Sequence, residues 1–169
     1  MNDLVSNVAR LHSRAQSSTQ VMANLGPLLI RLTVGAVFIG SGFGKLDDLD
    51  KVTDFFTELG IVAPGLNATV VAYAELLGGM ALTVGLATRL AALPLAMTMV
   101  VAILTALLPD VSSVFELVAL SEFAYLVMFV SLALTGPGRW SVDHLLVLKM
   151  FMGGGESVSR SIATSVANY

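Results

Sequence analysis

Residues 66–86 read LNATVVAYAELLGGMALTVGL and hold one charged residue, Glu75. A bilayer core about 30 Å thick needs roughly 20 mostly apolar residues of helix, and this run meets that length. Three further runs match it: Gly26–Gly44, Leu90–Leu108 and Phe115–Thr135. Turn-forming residues separate them, namely Pro64-Gly65, Ala87-Thr88-Arg89 and Pro109-Asp110. The pattern predicts an all-α integral membrane four-helix bundle. Its expected parts are a polar N-terminal tail over 1–25, the membrane domain over 26–148 and an interfacial or flexible tail over 149–169. The first apolar run is long enough to span and is followed by no Ala-x-Ala cleavage pattern, so it reads as a retained helix.

Composition agrees. Hydrophobic residues make up 56% of the 169-residue chain and charged residues 12%, about half the charge of a soluble domain. Mean hydropathy is +0.84. The net charge of −3, with no basic cluster, excludes a nucleic-acid partner. The absence of cysteine excludes a disulfide framework and a thiol relay carried by this chain. His12 and His144 lie near opposite ends, so no metal site of His and Cys ligands is expected.

Lysine and arginine set the expected orientation. Arg10, Arg14, Arg89, Arg139, Lys149 and Arg160 fall on one side, and Lys45 and Lys51 on the other. The positive-inside rule then puts both termini in the cytoplasm. In the loop Lys45–Pro64, the residues Val52, Phe55, Phe56 and Leu59 recur at helical spacing beside Asp47, Asp48, Asp50, Asp54 and Glu58. That pattern predicts a short acidic amphipathic helix on the outer surface. Ser141-Val142-Asp143 is positioned to cap a second interfacial helix through Leu145, Leu146, Leu148 and Phe151.

Lipid gives no hydrophobic drive between helices, so small residues must permit close packing. Ala36, Gly40 and Gly44 form one stripe, Gly78, Gly79 and Gly85 a second, and Thr98, Ala102 and Ala106 a third. These are the expected seams, within the bundle or between copies in a homo-oligomer.

Arg31, Glu75 and Glu122 are the ionisable residues expected inside spans. Charges at that depth cost at least about 2.5–3.5 kcal/mol and mark interior sites. With 1.5 Å of rise per residue, Glu75 and Glu122 lie roughly 13 Å and 10 Å below the outer edge, and Arg31 roughly 7 Å above the inner one. The expectation is a polar pocket in which Glu75 and Glu122 hold or move protons and Arg31 reaches up to Glu75. Tyr125, one turn after Glu122, is the hydroxyl on the same face. The alternative roles are an Arg31 that snorkels to the interface and a Glu75 that only fixes helix order. Lys45, at the end of the first span, is an outer-face candidate for an anionic group. Trp140 is an interfacial anchor, and the methionines read as packing.

Several of these residues form a recognisable set. Arg31 and Gly35 precede Gly42-Phe43-Gly44-Lys45-Leu46. Glu75-Leu76-Leu77-Gly78-Gly79 is followed by Gly85-Leu86-Ala87-Thr88-Arg89, and Glu122 by Gly136-Pro137-Gly138-Arg139-Trp140-Ser141-Val142-Asp143. Over about residues 26–148 the chain resembles the DoxX family of small four-helix membrane proteins. That resemblance implies a multi-pass protein of the bacterial inner (cytoplasmic) membrane. It further implies a partner protein in redox, sulfur, stress or metal-handling chemistry. A chain without cysteine needs a bound quinone, a haem or a partner subunit to take part in electron transfer. No histidine lies within a span, which points away from haem. Three roles follow: a quinone-linked redox subunit, a small transporter accessory, and a non-catalytic scaffold for a partner.

Overall fold

The computed structural model describes residues 2–138, 140–146 and 149, with side chains from Leu25 onward except that of Asp110. Among the described residues every regular element is helical. Helix α1 runs Asn2–Asp47, α2 Leu49–Glu58, α3 Pro64–Val84, α4 Thr88–Ala102, α5 Val114–Ala119 and α6 Ser121–Thr135. Three apolar stretches are long enough to cross a membrane: Leu25–Asp47 of α1, α3, and Thr88–Leu107, which is α4 with its continuation. Helix α6 is the shorter fourth member.

The fourth span differs from its expectation. Phe115–Thr135 is not one helix, because the chain turns extended at Leu120 between α5 and α6. Ser113 caps α5 by accepting from the Glu116 N–H, and the Ser112 N–H donates to the Glu116 carboxylate at 2.7 Å. These bonds hold the Glu116 carboxyl below its ordinary range, ionised in a surface turn. A carboxylate so held is costly to bury in lipid, and the fourth apolar helix of the bundle starts after it, at α6. Its 15 residues span about 22 Å at helical rise.

Helix α1 packs along α3, α3 along α4 and α4 along α6, and α6 closes the bundle against α1. The α1–α3 seam also differs from expectation. Ala36, Gly40 and Gly44 face outward, and a Cβ added at Gly40 or Gly44 would meet nothing. Gly35 and Gly42 make the seam instead. A Cβ on Gly42 would sit 2.5 Å from the Leu76 backbone nitrogen, and one on Gly79 2.8 Å from that of Ile39. The expected role of Gly78–Gly79 therefore holds, and Leu95 of α4 packs on Gly78 at 3.0 Å from that added Cβ.

The two ends of the bundle are built differently. The end near Arg31 is solid: Val34, Phe38, Leu82, Leu95, Met99, Phe129 and Leu132 form one buried cluster. Phe38 and Phe129 meet edge to face at 4.8 Å. Toward the other end α3 and α4 leave space between them. There α4 passes into a wider π-helical turn at Ile103–Leu107, a distortion frequent near functional sites. The amphipathic helix expected in the first loop is present as α2, capped by Asp48 accepting from the Lys51 N–H at 3.1 Å. It packs on α3 and carries Asp50, Asp54 and Glu58 on its exposed side. Residues 142–146 are helical, as Ser141 predicts, while Leu148 and Phe151 lie outside the described residues.

Candidate functional site

Arg31 does not reach Glu75. Its guanidinium is 1% exposed and turns to main-chain carbonyls. Nε donates to Leu82 O at 2.9 Å and Nη2 to Thr83 O at 3.3 Å, both in the last turn of α3. Nη1 donates to Pro137 O at 2.6 Å and Trp140 O at 3.1 Å. Carbonyls at a helix C-terminus have no intrahelical donor, so a buried cation there satisfies them and opposes the helix dipole. The snorkelling alternative fails as well, since the group is enclosed rather than extended to water.

The motif residues around Arg31 serve this arrangement. Gly85 ends α3 with φ +73°, and an added Cβ would lie 2.6 Å from the Arg31 guanidinium carbon and 2.7 Å from Ser141 Cβ. A side chain there meets both backbone strain and a filled space. Asp143 donates its N–H to Gly85 O at 3.0 Å. Its carboxylate accepts from Ala87 N at 2.7 Å and Thr88 N at 3.0 Å, capping the start of α4 from a distance. Ser141 Oγ accepts from the His144 N–H at 3.1 Å and caps the helix that follows, as expected, whereas Asp143 caps α4 instead.

Glu75 finds a different partner. Its side chain is 3% exposed and its Oε2 accepts from Lys45 Nζ at 2.5 Å, while Lys45 also donates to Ser41 Oγ at 2.6 Å. Lys45 therefore turns inward rather than presenting its charge at the outer face. Ser41 precedes Lys45 by four residues, the helical spacing of side-chain neighbours, and that signal was readable before the fold was known.

This pair opens on a cavity of about 500 Å³ bounded by α1, α2, α3, α4 with its π turn, and α6. Glu75, Lys45, Glu122 and Tyr125 all line it. The structure thus brings together four of the five candidate residues and leaves Arg31 at the other end. Glu122 lies shallower than expected, half-buried in the first turn of α6, where its Oε2 accepts from Ser121 Oγ at 3.0 Å. Tyr125 stacks edge to face on Phe38 at 5.5 Å. Tyr73, two residues from Glu75, points away and is half exposed.

The rest of the wall is apolar, with Val37, Val70, Val71, Ala74, Met97, Val101 and Ala106, and the α2 side chains Phe55 and Phe56. Val70 of α3 is 54% exposed and Met97 of α4 63%, so the cavity reaches the bundle surface between these helices. Thr98 and Thr105 spend their hydroxyl protons on Leu95 O and Val101 O, and Asn67 donates to Val62 O. Unused polar capacity remains on Lys45, Glu75, Glu122 and Tyr125, on the Ser41 O–H, and on the Asn67 amide, which engages one of its two N–H groups. Among the described residues no group of three or more His, Cys, Asp or Glu is placed to hold a metal ion.

A pocket of this volume, mostly apolar with few polar groups, has the form of a small-molecule site. The buried Glu75 carboxylate, on an apolar helix long enough to span, gives it a chemical focus.

Comparison with known proteins agrees with this architecture. The DoxX family model matches residues 26–108, which include Arg31, Lys45 and Glu75 but not Glu122 or the 136–143 segment. The protein named "Putative oxidoreductase CatD" of Bacillus subtilis is 35% identical over 121 residues, covering 70% of this chain and 85% of that protein. "Uncharacterized membrane protein Rv3486" of Mycobacterium tuberculosis is 34% identical over 148 residues, covering 79% and 91%. "Inner membrane protein YqjF" of Escherichia coli is 30% identical over 128 residues, covering 74% and 95%. No solved structure matches. With its apolar helices, its matched segment and these relatives, the chain belongs to the DoxX family of membrane proteins.

Proposed function

We propose that this protein is a quinone-linked membrane subunit of a redox system, set in the bacterial inner membrane with both termini in the cytoplasm. One observation carries the reading: the buried Glu75 carboxylate and its partner Lys45 open on a mostly apolar cavity of about 500 Å³ that reaches the surface between two spanning helices. A lipid-soluble ring with a hydrocarbon tail suits such a space. The residues fit the group. Lys45 Nζ is a donor for a ring oxygen, Glu75 and Glu122 are carboxylates able to hold or pass a proton, and Tyr125 and Phe38 supply aromatic faces. A quinone, when bound, carries electrons together with protons. The chain has no cysteine, so the electrons come from a partner subunit, and this protein binds, orients and handles protons. The names of two relatives, an oxidoreductase and an inner membrane protein, support the same reading.

The test is organic extraction of the purified protein for bound quinone, comparing wild type with Glu75→Gln and Glu122→Gln. Stoichiometric quinone in wild type, lost in either variant while circular dichroism stays helical, is the expected result. Well-folded wild type without quinone overturns it. The exposed acidic side of α2, with Asp50, Asp54 and Glu58, then favours a scaffold that docks a basic partner, to be sought by crosslinking at that helix.

A further inference from the structure

The polar end of the cavity has a donor and an acceptor left over, side by side. A lysine ammonium has three N–H donors. Lys45 uses two, on Ser41 Oγ and Glu75 Oε2, and its side chain keeps 26% exposure on the cavity. A carboxylate has two acceptor oxygens. Glu75 uses Oε2 on Lys45, and among the described residues Oε1 has no hydrogen-bond partner. Both free positions belong to groups already in contact at 2.5 Å, so one small ligand group can meet both.

We infer that the site is built for a ring hydroxyl, so that it takes the reduced, phenolic form of its ligand in preference to the carbonyl form. The inference rests on the quinone reading above. A hydroxyl accepts from Lys45 Nζ through its oxygen and donates its proton to Glu75 Oε1. A quinone carbonyl satisfies Lys45 alone. Its lone pairs then face an unpaired carboxylate oxygen in an apolar enclosure, where an unmade hydrogen bond costs most. Thr98 and Thr105 have their donors engaged on main-chain carbonyls, and Asn67 has one of its two N–H groups so engaged. Glu122 brings a further acceptor, and the Tyr125 and Ser41 hydroxyls and the second Asn67 N–H are the remaining donors. The match to a hydroxyl group rests on the Lys45 donor and the Glu75 Oε1 acceptor lying side by side. Preference for the reduced form means that a ligand reduced with the partner's electrons leaves the site more slowly than its oxidised form does.

The test measures binding, not turnover. The full chain in lipid nanodiscs is titrated with para-decylphenol and with para-decylanisole, its methyl ether, which lacks only the donated proton. A decyl-benzoquinone and its quinol, kept reduced with dithionite, form a second pair. Binding is corrected by empty nanodiscs of the same lipid. The phenol is expected to bind about tenfold tighter than the anisole, and the quinol tighter than the quinone by a similar factor, the scale of a hydrogen bond to a charged group. In Glu75→Gln the carboxamide offers donors as well as an acceptor, so both ratios should fall to within about twofold. Tyr125→Phe should keep them. Equal binding of phenol and anisole, or tighter binding of the quinone, overturns the inference and leaves the quinone reading standing. Ratios lost in Tyr125→Phe and kept in Glu75→Gln overturn it too, by moving the acceptor elsewhere. No binding of any probe to folded wild type overturns both. The wild-type ratios stand as a test even if Glu75→Gln does not fold.

Discussion

The bundle holds a positive charge at each end, Arg31 buried and Lys45 partly so, and treats the two in opposite ways. Arg31 is enclosed by close packing and makes four hydrogen bonds to main-chain carbonyls from two segments of chain. Lys45 is paired with Glu75 at the edge of a cavity, with donor and acceptor capacity left over. A buried charge with four of its five N–H donors engaged and no cavity beside it is a fastening, because little remains with which to bind a ligand. An unsaturated one carries a standing cost that a ligand can relieve. Both clusters arise from spanning helices, so depth in the membrane alone did not tell fastening from site.

The comparison breaks most readily at the solid end. Arg31→Met removes four charge-assisted bonds and leaves buried carbonyls unpaired. A stability loss on the order of 4 kcal/mol is expected, read from the unfolding midpoint in a denaturant titration of mixed micelles. If Arg31→Met unfolds no sooner than wild type, the arginine is not the fastening described. Gly42→Ala should follow at about 1–3 kcal/mol, since its Cβ meets the Leu76 backbone at 2.5 Å and α1 must move off α3. At the hollow end the signs separate. Glu75→Gln should cost only about 1–2 kcal/mol in the same titration, yet remove the extractable ligand. A stability loss matching that of Arg31→Met would make Glu75 a second fastening and erase the contrast. Asp143→Ala, which uncaps α4, should cost about 1 kcal/mol and leave bound ligand unchanged. Gly40→Ala sharpens the picture from the other side. Its Cβ faces open space, so the change should be neutral or stabilising by up to about 1 kcal/mol.

Much of the site was legible in the sequence. Glu75, Glu122, Tyr125 and Lys45 all stood out as polar groups in or beside apolar runs, and all four line one cavity. Their pairing was not legible. Arg31 looked like the natural counter-charge for Glu75, because residue types suggest that opposite charges meet. Its real partners are carbonyls, which every residue carries and which no sequence distinguishes. The seam between α1 and α3 was not legible either: the stripe of Ala36, Gly40 and Gly44, expected to pack within the bundle or between copies, faces outward, and Gly35 and Gly42 make the contact with α3. In a soluble helix the apolar face marks the inside. In a membrane helix lipid and interior are both apolar, so the face toward the neighbour carries no such mark. The single fourth helix failed for a local reason. The hydropathy of Phe115–Thr135 hid Glu116 and its serine caps, which hold a surface turn before α6 begins.

The sequence by itself determined that this chain is a bundle of apolar helices in a membrane, where the first three of them lie along the chain, and that α2 is amphipathic. Those properties are sums over consecutive residues, and transfer from water to lipid acts on each segment separately. Only the tertiary structure decided which faces meet, that Arg31 ties the ends of α3 and α6 together, and that Lys45 turns in to Glu75 beside a cavity. Those outcomes depend on helix rotation and on main-chain groups from distant segments arriving at one place. Close packing settles both, and the order of residues along a single helix does not encode them.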